Sequence, residues 1–269
     1  MPNLKTEQLS SLIQSIESVI EDTDNFSNSL RELIDERDYE AELLTQTSNL
    51  LNSIDSKLTI STFYLKNAKI EMKNNIVALS DYIYQIISDC LWIKDANPSM
   101  FTTFKTEIRP IYTVEVTNHS LSANPITDDS FYTFHSLWDF IRNKYDIELN
   151  IFLSYLESIM RYYSESLEKL SLSIRNTMKP ILASPEFVMS LSIKEQREES
   201  IQYSNNLLSS IGSIREMLNK IKDGAFNIQK VQVALCENQD IINEFHRYCQ
   251  NKKEEYNQFA TEGTNITLI

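Results

Sequence analysis

The chain has 269 residues, with 25 basic and 38 acidic side chains, a formal net charge of −13 and only 3 glycines. An acidic chain lacks the clustered positive charge that binds phosphate backbones, so nucleic acid is excluded as an expected partner. Sheets need glycine in tight turns and at close backbone approaches, so this composition favours a small number of long helices.

The first predicted helix covers residues 4–35, where apolar residues recur at helical spacing. The stretch EDTDNFS interrupts this pattern and is rich in capping residues. It therefore predicts either a kink or a helix boundary. The apolar positions of this helix are Leu9, Leu12, Ile13, Ile16, Val19, Ile20, Phe26, Leu30, Leu33 and Ile34.

The second predicted helix, over residues 40–94, carries the strongest pattern in the sequence, an a/d seam. Mostly apolar residues follow one another at steps of three and four for about six heptads, with one extra step of four after Met72. No glycine or proline occurs between Asp38 and Asn97. A helix of this length would extend roughly 80 Å. The seam consists of Leu51, Ile54, Leu58, Ser61, Leu65, Ala68, Met72, Ile76, Leu79, Ile83, Ile86, Cys90 and Ile93.

A second seam predicts a third helix that begins after ANPITDDS, with Thr127 as the N-cap, and ends at Pro180. Two seams of similar length with a break between them predict an antiparallel helical hairpin. Alternatively, a second copy of the chain covers each seam. The second seam consists of Phe134, Trp138, Ile141, Tyr145, Leu149, Phe152, Leu156, Ile159, Tyr163, Leu167, Leu170 and Ile174.

The fourth and fifth predicted helices follow Ser184, Pro185 and Glu186, which form an N-cap, a first-turn proline and a first-turn acid. Gly224 either divides these two helices or lies inside one helix. The apolar stripes are Leu207, Ile211, Ile214, Leu218 and Ile221 before this glycine, and Ile228, Val231, Leu235, Ile242, Phe245 and Cys249 after it.

The predicted fold is therefore all-α. It is an elongated bundle of about five helices, with a long antiparallel coiled-coil hairpin and a small non-helical tip that favours β structure. In this division, residues 1–50 and 175–269 form the helical bundle, residues 51–96 and 131–174 form the coiled-coil hairpin, and residues 97–130 form the tip.

The tip contains Pro98, Pro110 and Pro125, which prevent helix continuation, and the alternating run Thr113-Val114-Glu115-Val116, which favours a short strand. Because two to five residues suffice to join antiparallel helices, a loop of about 30 residues is expected to have a role. Either it is a cap that buries the end of the hairpin, or it contacts a partner protein or a membrane. The predicted contact residues are Phe101, Phe104, Ile108, Ile111, Tyr112, Val114, Val116 and Phe131.

The sequence contains no motif for catalysis: no Gly-rich phosphate loop, no His-Glu-x-x-His and no nucleophile elbow. We therefore expect a protein that is not an enzyme and that needs no cofactor. Cys236, His246 and Cys249 are the one group that zinc could take as ligands. The interpretation we favour is that both cysteines are small core residues of the apolar stripe.

The chain carries no pattern for export or membrane insertion. Its start, MPNLKTEQLSSLIQS, lacks the apolar segment of a signal peptide, and no run approaches eighteen apolar residues. We therefore expect synthesis in the cytoplasm without a signal peptide and without an ordinary transmembrane helix.

The helical bundle, the paired seams at 51–93 and 134–174 and the apolar head at 97–130 together resemble the α-helical pore-forming toxins. Among these, the layout is most similar to the B component of the xenorhabdolysin-type binary cytotoxins. The resemblance implies a component that is released without a cleaved signal and assembles with a partner subunit into oligomers on a target membrane. It also implies that the partner supplies the membrane-spanning helix and that the head lies at the lipid surface. The competing hypothesis is a coiled-coil scaffold, an adaptor or an intracellular effector that docks a partner protein through the hairpin tip.

Overall fold

In a computed structural model of the chain, the described residues are 5–35, 41–96, 106–107, 111–117, 120–126, 131–132 and 146–265. They form six α-helices and four short strands, and the predicted all-α class with a β tip is confirmed. The helices are α1 (Glu7–Asp35), α2 (Ala41–Ala96), α3 (Asp146–Ser173), α4 (Lys179–Leu182), α5 (Pro185–Ser192) and α6 (Arg197–Asn265). The strands are β1 (Thr106–Glu107), β2 (Ile111–Thr117), β3 (Ser120–Ile126) and β4 (Phe131–Tyr132).

The chain divides into two compact units by the contacts between its residues. One unit, Thr6–Ile70 and Glu157–Phe226, is called the four-helix unit after its longer helical segments, from α1, α2, α3 and α6, and it also contains the short helices α4 and α5. The tip-bearing unit consists of Met1–Lys5, Glu71–Leu156 and Asn227–Ile269. Helices α2, α3 and α6 each contribute residues to both units. The predicted division into bundle, hairpin and tip has boundaries that differ from those of the two units, and it stays a prediction.

Helix α1 is one helix, so EDTDNFS is not a helix boundary. Two hydroxyl side chains of this stretch fit within the helix by bonding to carbonyl groups about one turn back. The hydroxyl of Thr23 donates to the carbonyl of Ile20 at 2.6 Å, and that of Ser27 donates to the carbonyl of Thr23 at 2.9 Å. Phe26, inside the same stretch, is fully buried and continues the apolar stripe.

The predicted seam of α2 is confirmed from Leu51 to Ile86. Every seam residue in this range is between 0 and 3% exposed, including the polar Ser61. Ser61 is satisfied by the hydroxyl of Ser15 on α1, with 2.8 Å between the two oxygens. The side chains of Cys90 and Ile93 lie outside the described part of the seam.

The four-helix unit is closed by polar and packing contacts between successive helices. Helix α1 meets α2 where the hydroxyl of Ser53 donates to Asp22 at 2.7 Å, and α2 meets α3 where the hydroxyl of Ser171 donates to Asp55 at 2.7 Å. Helix α3 meets α6 at Gly224, which lies against the ring of Tyr163. Helix α6 returns to α1 through an ion pair between Arg215 and Asp24, 2.8 Å long. These contacts join α1, α2, α3 and α6, and Phe187 of α5 adds a fully buried side chain to the core of this unit.

Two predicted helix boundaries are wrong, and the alternative left open at Gly224 is decided. The third helix does not begin at Thr127, because Phe131 and Tyr132 form β4 and pair with β1. It does not end at Pro180, because a π-helical turn (Ile174–Met178) leads from α3 into α4. A regular helix would bring the proline ring against the carbonyl four residues back, and a π turn changes that spacing. Gly224 does not divide two helices, since it lies inside the 69 residues of α6.

The described part of the second seam is buried, apart from Leu170, which is half-buried. The predicted N-cap of α5 is also confirmed, because the hydroxyl of Ser184 accepts a hydrogen bond from the backbone N–H of Phe187 at 3.1 Å. Thr127 and the seam residues Phe134, Trp138, Ile141 and Tyr145 lie outside the described residues.

The tip carries an antiparallel β-ribbon in two parts. Strand β2 pairs with β3 over seven residues each, from Ile111 opposite Ile126 to Thr117 opposite Ser120. Strand β1 pairs with β4, with Thr106 opposite Tyr132. The alternation of apolar and polar residues therefore predicted the strand correctly. Asn118 and His119, which separate β2 from β3, lie outside the described residues.

Candidate functional site

Strand β2 brings half of the predicted contact residues together. They lie within the seven residues of this strand, and the register places them opposite residues of β3 that include Pro125. Phe131 lies in β4, opposite Glu107 of β1. Phe101, Phe104 and Ile108 lie outside the described residues, whereas Ile111, Tyr112, Val114 and Val116 are the members in β2.

Charge is sparse in the ribbon, where Glu107 of β1 and Glu115 of β2 are the two charged residues of the described strands. Strand β2 contains one charged residue, Glu115, and the seven residues of β3 contain none. In the chain as a whole, 23% of the residues are charged. Because burying a charge against a partner is costly unless the charge is paired, a segment with so few charges is suited to contact with a partner.

A second candidate site, which sequence reasoning missed, is an ionic cluster around Asp55 in the four-helix unit. Asp55 is buried, with 7% of the residue exposed. It accepts hydrogen bonds from the Ser171 hydroxyl at 2.7 Å, from Arg175 Nε at 2.9 Å and from Lys179 Nζ at 2.8 Å. Arg175 lies in the π-helical turn and Lys179 directly after it. The cluster therefore links the π-helical turn to α2 through hydrogen bonds and ion pairs.

The pKa of Asp55 shows that the cluster holds the carboxylate in its ionised form. Burial raises this pKa, but the hydrogen bonds from Arg175, Lys179 and Ser171 and the charge of Lys179 outweigh burial and lower it from 3.8 to about 2. A carboxylate with so low a pKa and three donors is a weak general base near neutral pH. The arrangement is therefore suited to holding the π turn in place, not to catalysis.

We expect Asp55→Asn to lower the free energy of unfolding by about 2 kcal/mol near neutral pH, because Arg175 and Lys179 lose their buried acceptor. The folded-state pKa lies below the unfolded value, so this stabilisation is complete above about pH 4 and is lost as the pH falls to about 2. Urea unfolding of both proteins at several pH values should show their difference shrinking over this range.

A matched control for this prediction is Asp24→Asn. Asp24 pairs with Arg215 at 2.8 Å, but the two side chains are 49% and 50% exposed. Exposed ion pairs contribute little, so this change should cost less than about 1 kcal/mol. Two results would contradict the role given to the cluster. One is an equal loss of unfolding free energy in both variants. The other is a loss for Asp55→Asn that does not change with pH.

The residues weighed as zinc ligands are only partly described. The His246 ring packs edge-on against Tyr82, with 5.8 Å between ring centroids. The Tyr82 hydroxyl donates to Asn243 Oδ1 at 2.6 Å, and burial raises the pKa of Tyr82. The side chains of Cys236 and Cys249 lie outside the described part of α6. Among the described residues, no group of three or more His, Cys, Asp or Glu side chains could hold a metal ion.

Comparison of the chain with models of protein families, with curated proteins and with solved structures gives no match. Within the described part of the chain, no helix combines the length and the apolar character that crossing a membrane requires.

Proposed function

We propose that the protein is a non-enzymatic component of an α-helical pore-forming cytotoxin that assembles with a partner subunit on target membranes. The observation that supports this proposal is the β-ribbon of β1–β4, which lies in the chain between the long helix α2 and helix α3. A few residues would suffice to connect two helices, so the ribbon is an added element. In the proposal, the ribbon is the surface that meets the partner or the lipid.

The ribbon also supports a second function, an adaptor or intracellular effector that docks a soluble partner protein through the tip. Extended segments of other proteins commonly bind at the open edges of β-strands. The two functions differ in whether a membrane is the target, and one experiment separates them.

The experiment measures lysis of red cells and dye release from vesicles, with and without an extract of the source that contains the partner subunit. We expect lysis that requires the extract. Replacing Phe101, Phe104 and Tyr112 together with alanine should weaken lysis by at least about tenfold, because three aromatic contact surfaces are lost. Circular dichroism of the variant should show unchanged helix content.

The control is Phe63→Ala on α2, because Phe63 is an aromatic residue that is 60% exposed outside the tip. This variant should lyse cells as the wild type does. Equal loss in both variants, or lysis that ignores the tip, would refute the proposed role of the ribbon. Intact cells and vesicles under all conditions, together with tip-dependent retention of a soluble protein, would support the adaptor instead.

A further inference from the structure

The register of the ribbon determines which main-chain groups point away from it. In an antiparallel pair of strands, pairs of opposing residues alternate between two kinds. Residues of the first kind exchange two hydrogen bonds with each other. Residues of the second kind exchange none and direct their N–H and C=O groups to the outer edges of the two strands. Pro125 has no N–H and lies opposite Tyr112, so this pair is of the second kind. The alternation then assigns Val114 and Val116 of β2 to the same kind.

The two outer edges of the ribbon differ as a result. On β3, Pro125 removes one donor from the outer edge, and a proline of this kind hinders the addition of another strand. On β2, Tyr112, Val114 and Val116 present complete main-chain donors and acceptors and carry no charge. In the described residues, β2 pairs with β3 alone. Since two-stranded ribbons are marginal without further strands, the outer edge of β2 is the edge prepared for pairing.

The sequence of β2 matches itself in the antiparallel direction. A twofold axis at Val114 places Tyr112 opposite Val116 of a second copy, and Thr113 opposite Glu115 of that copy. Aromatic and β-branched residues are favourable neighbours across strands. The single charge of the strand meets threonine and not another carboxylate. An axis at Glu115 would instead place the carboxylates of the two copies opposite each other, which is unfavourable.

We propose that β2 of two copies of this chain pair antiparallel about a twofold axis at Val114, so that the two ribbons form one four-stranded sheet. The inference rests on the proposed function in taking the ribbon as the contact element, and it names a second copy of the chain as the partner of the β2 edge. Such an interface uses the same surface on both copies, as closed dimers do.

The test is the oligomeric state of the full chain in solution, without lipid, by sedimentation velocity over a range of concentrations. We expect reversible dimers of the 31.3 kDa chain. Because each copy has a formal net charge of −13, higher salt should strengthen the dimer by screening repulsion.

Proline substitutions at two opposing residues of β2 and β3 form a matched pair of variants. Val114 and Ala123 lie opposite each other, and each directs its N–H to its own outer edge. Val114→Pro removes the N–H at the twofold axis from both copies, so the dimer should weaken by at least about tenfold. Ala123→Pro removes an N–H from the outer edge of β3 and should leave the dimer unchanged.

A second readout uses the wild-type chain and does not depend on the folding of a variant. Amide hydrogen exchange at Tyr112, Val114 and Val116 should slow as the concentration rises through the dimer Kd, while exchange at Ala123 should not change. Three results would each overturn the pairing. The first is a chain that stays monomeric at high salt and about 100 μM, and the second is a dimer that both proline substitutions weaken equally. The third is hydrogen exchange at Val114 that does not change with concentration. Dimers without lysis would refute the proposed function alone, and lysis by a strictly monomeric chain would refute the pairing alone.

Discussion

Replacing Leu65 with aspartate is expected to lower the free energy of unfolding by about 4 kcal/mol or more, the largest effect of any single change considered for this protein. Leu65 lies in the middle of the α2 seam and is 1% exposed. The substitution removes a buried aliphatic side chain and places a carboxyl group among the buried residues of the seam. Domains are stable by only about 5–15 kcal/mol, so much of the stability would be lost.

Phe63→Asp is the control, because Phe63 lies two residues away on the same helix but is 60% exposed. Both variants introduce an aspartate into the same helix, but only Leu65→Asp places it at a buried position. Thermal and urea unfolding should show a large loss for Leu65→Asp and a change within about 1 kcal/mol for Phe63→Asp. An unchanged melt for Leu65→Asp would show that the seam assignment is wrong.

The second large effect is expected for Gly224→Ala in α6. A Cβ atom at Gly224 would overlap the hydroxyl oxygen of Tyr163 and come within 2.7 Å of its Cζ atom. Tyr163 is 2% exposed, so the ring has little room to move. Burial, followed by the charges of Tyr162 and Asp223, raises the pKa of Tyr163 to about 12, which agrees with a phenol held away from water. We expect a loss of about 2–3 kcal/mol in the free energy of unfolding from overpacking.

Gly212→Ala on the same helix is the matched control. Gly212 is exposed, and a Cβ atom there would meet nothing within 4 Å. Alanine favours the helix over glycine, so this substitution should stabilise the protein by about 0.5–1 kcal/mol. Adding Tyr163→Phe to Gly224→Ala should recover part of the loss and so demonstrate direct coupling. If both glycine substitutions stabilise the chain, the close approach of α6 to Tyr163 is absent.

The helical core could be predicted from residue spacing because a helix returns to the same face every 3.6 residues. Leu51 to Ile86 kept this spacing, and each member is buried. The strand β2 was predictable for a related reason, since Thr113-Val114-Glu115-Val116 alternates with the period of a strand. Which edge of that strand is open was not predictable, because it depends on Pro125 lying opposite Tyr112 in the register.

Periodicity along the chain therefore determined the helices, their buried faces and the β tip. Only the tertiary structure decided that Asp55 meets Ser171, Arg175 and Lys179, because the partners lie 116 to 124 positions away and each is an ordinary polar residue in its own segment. It also decided that Gly224 continues a helix, since a glycine that ends a helix and one that admits a neighbouring ring look alike in sequence. Local spacing specifies which face of an element is buried, whereas contacts between distant segments specify what that face meets.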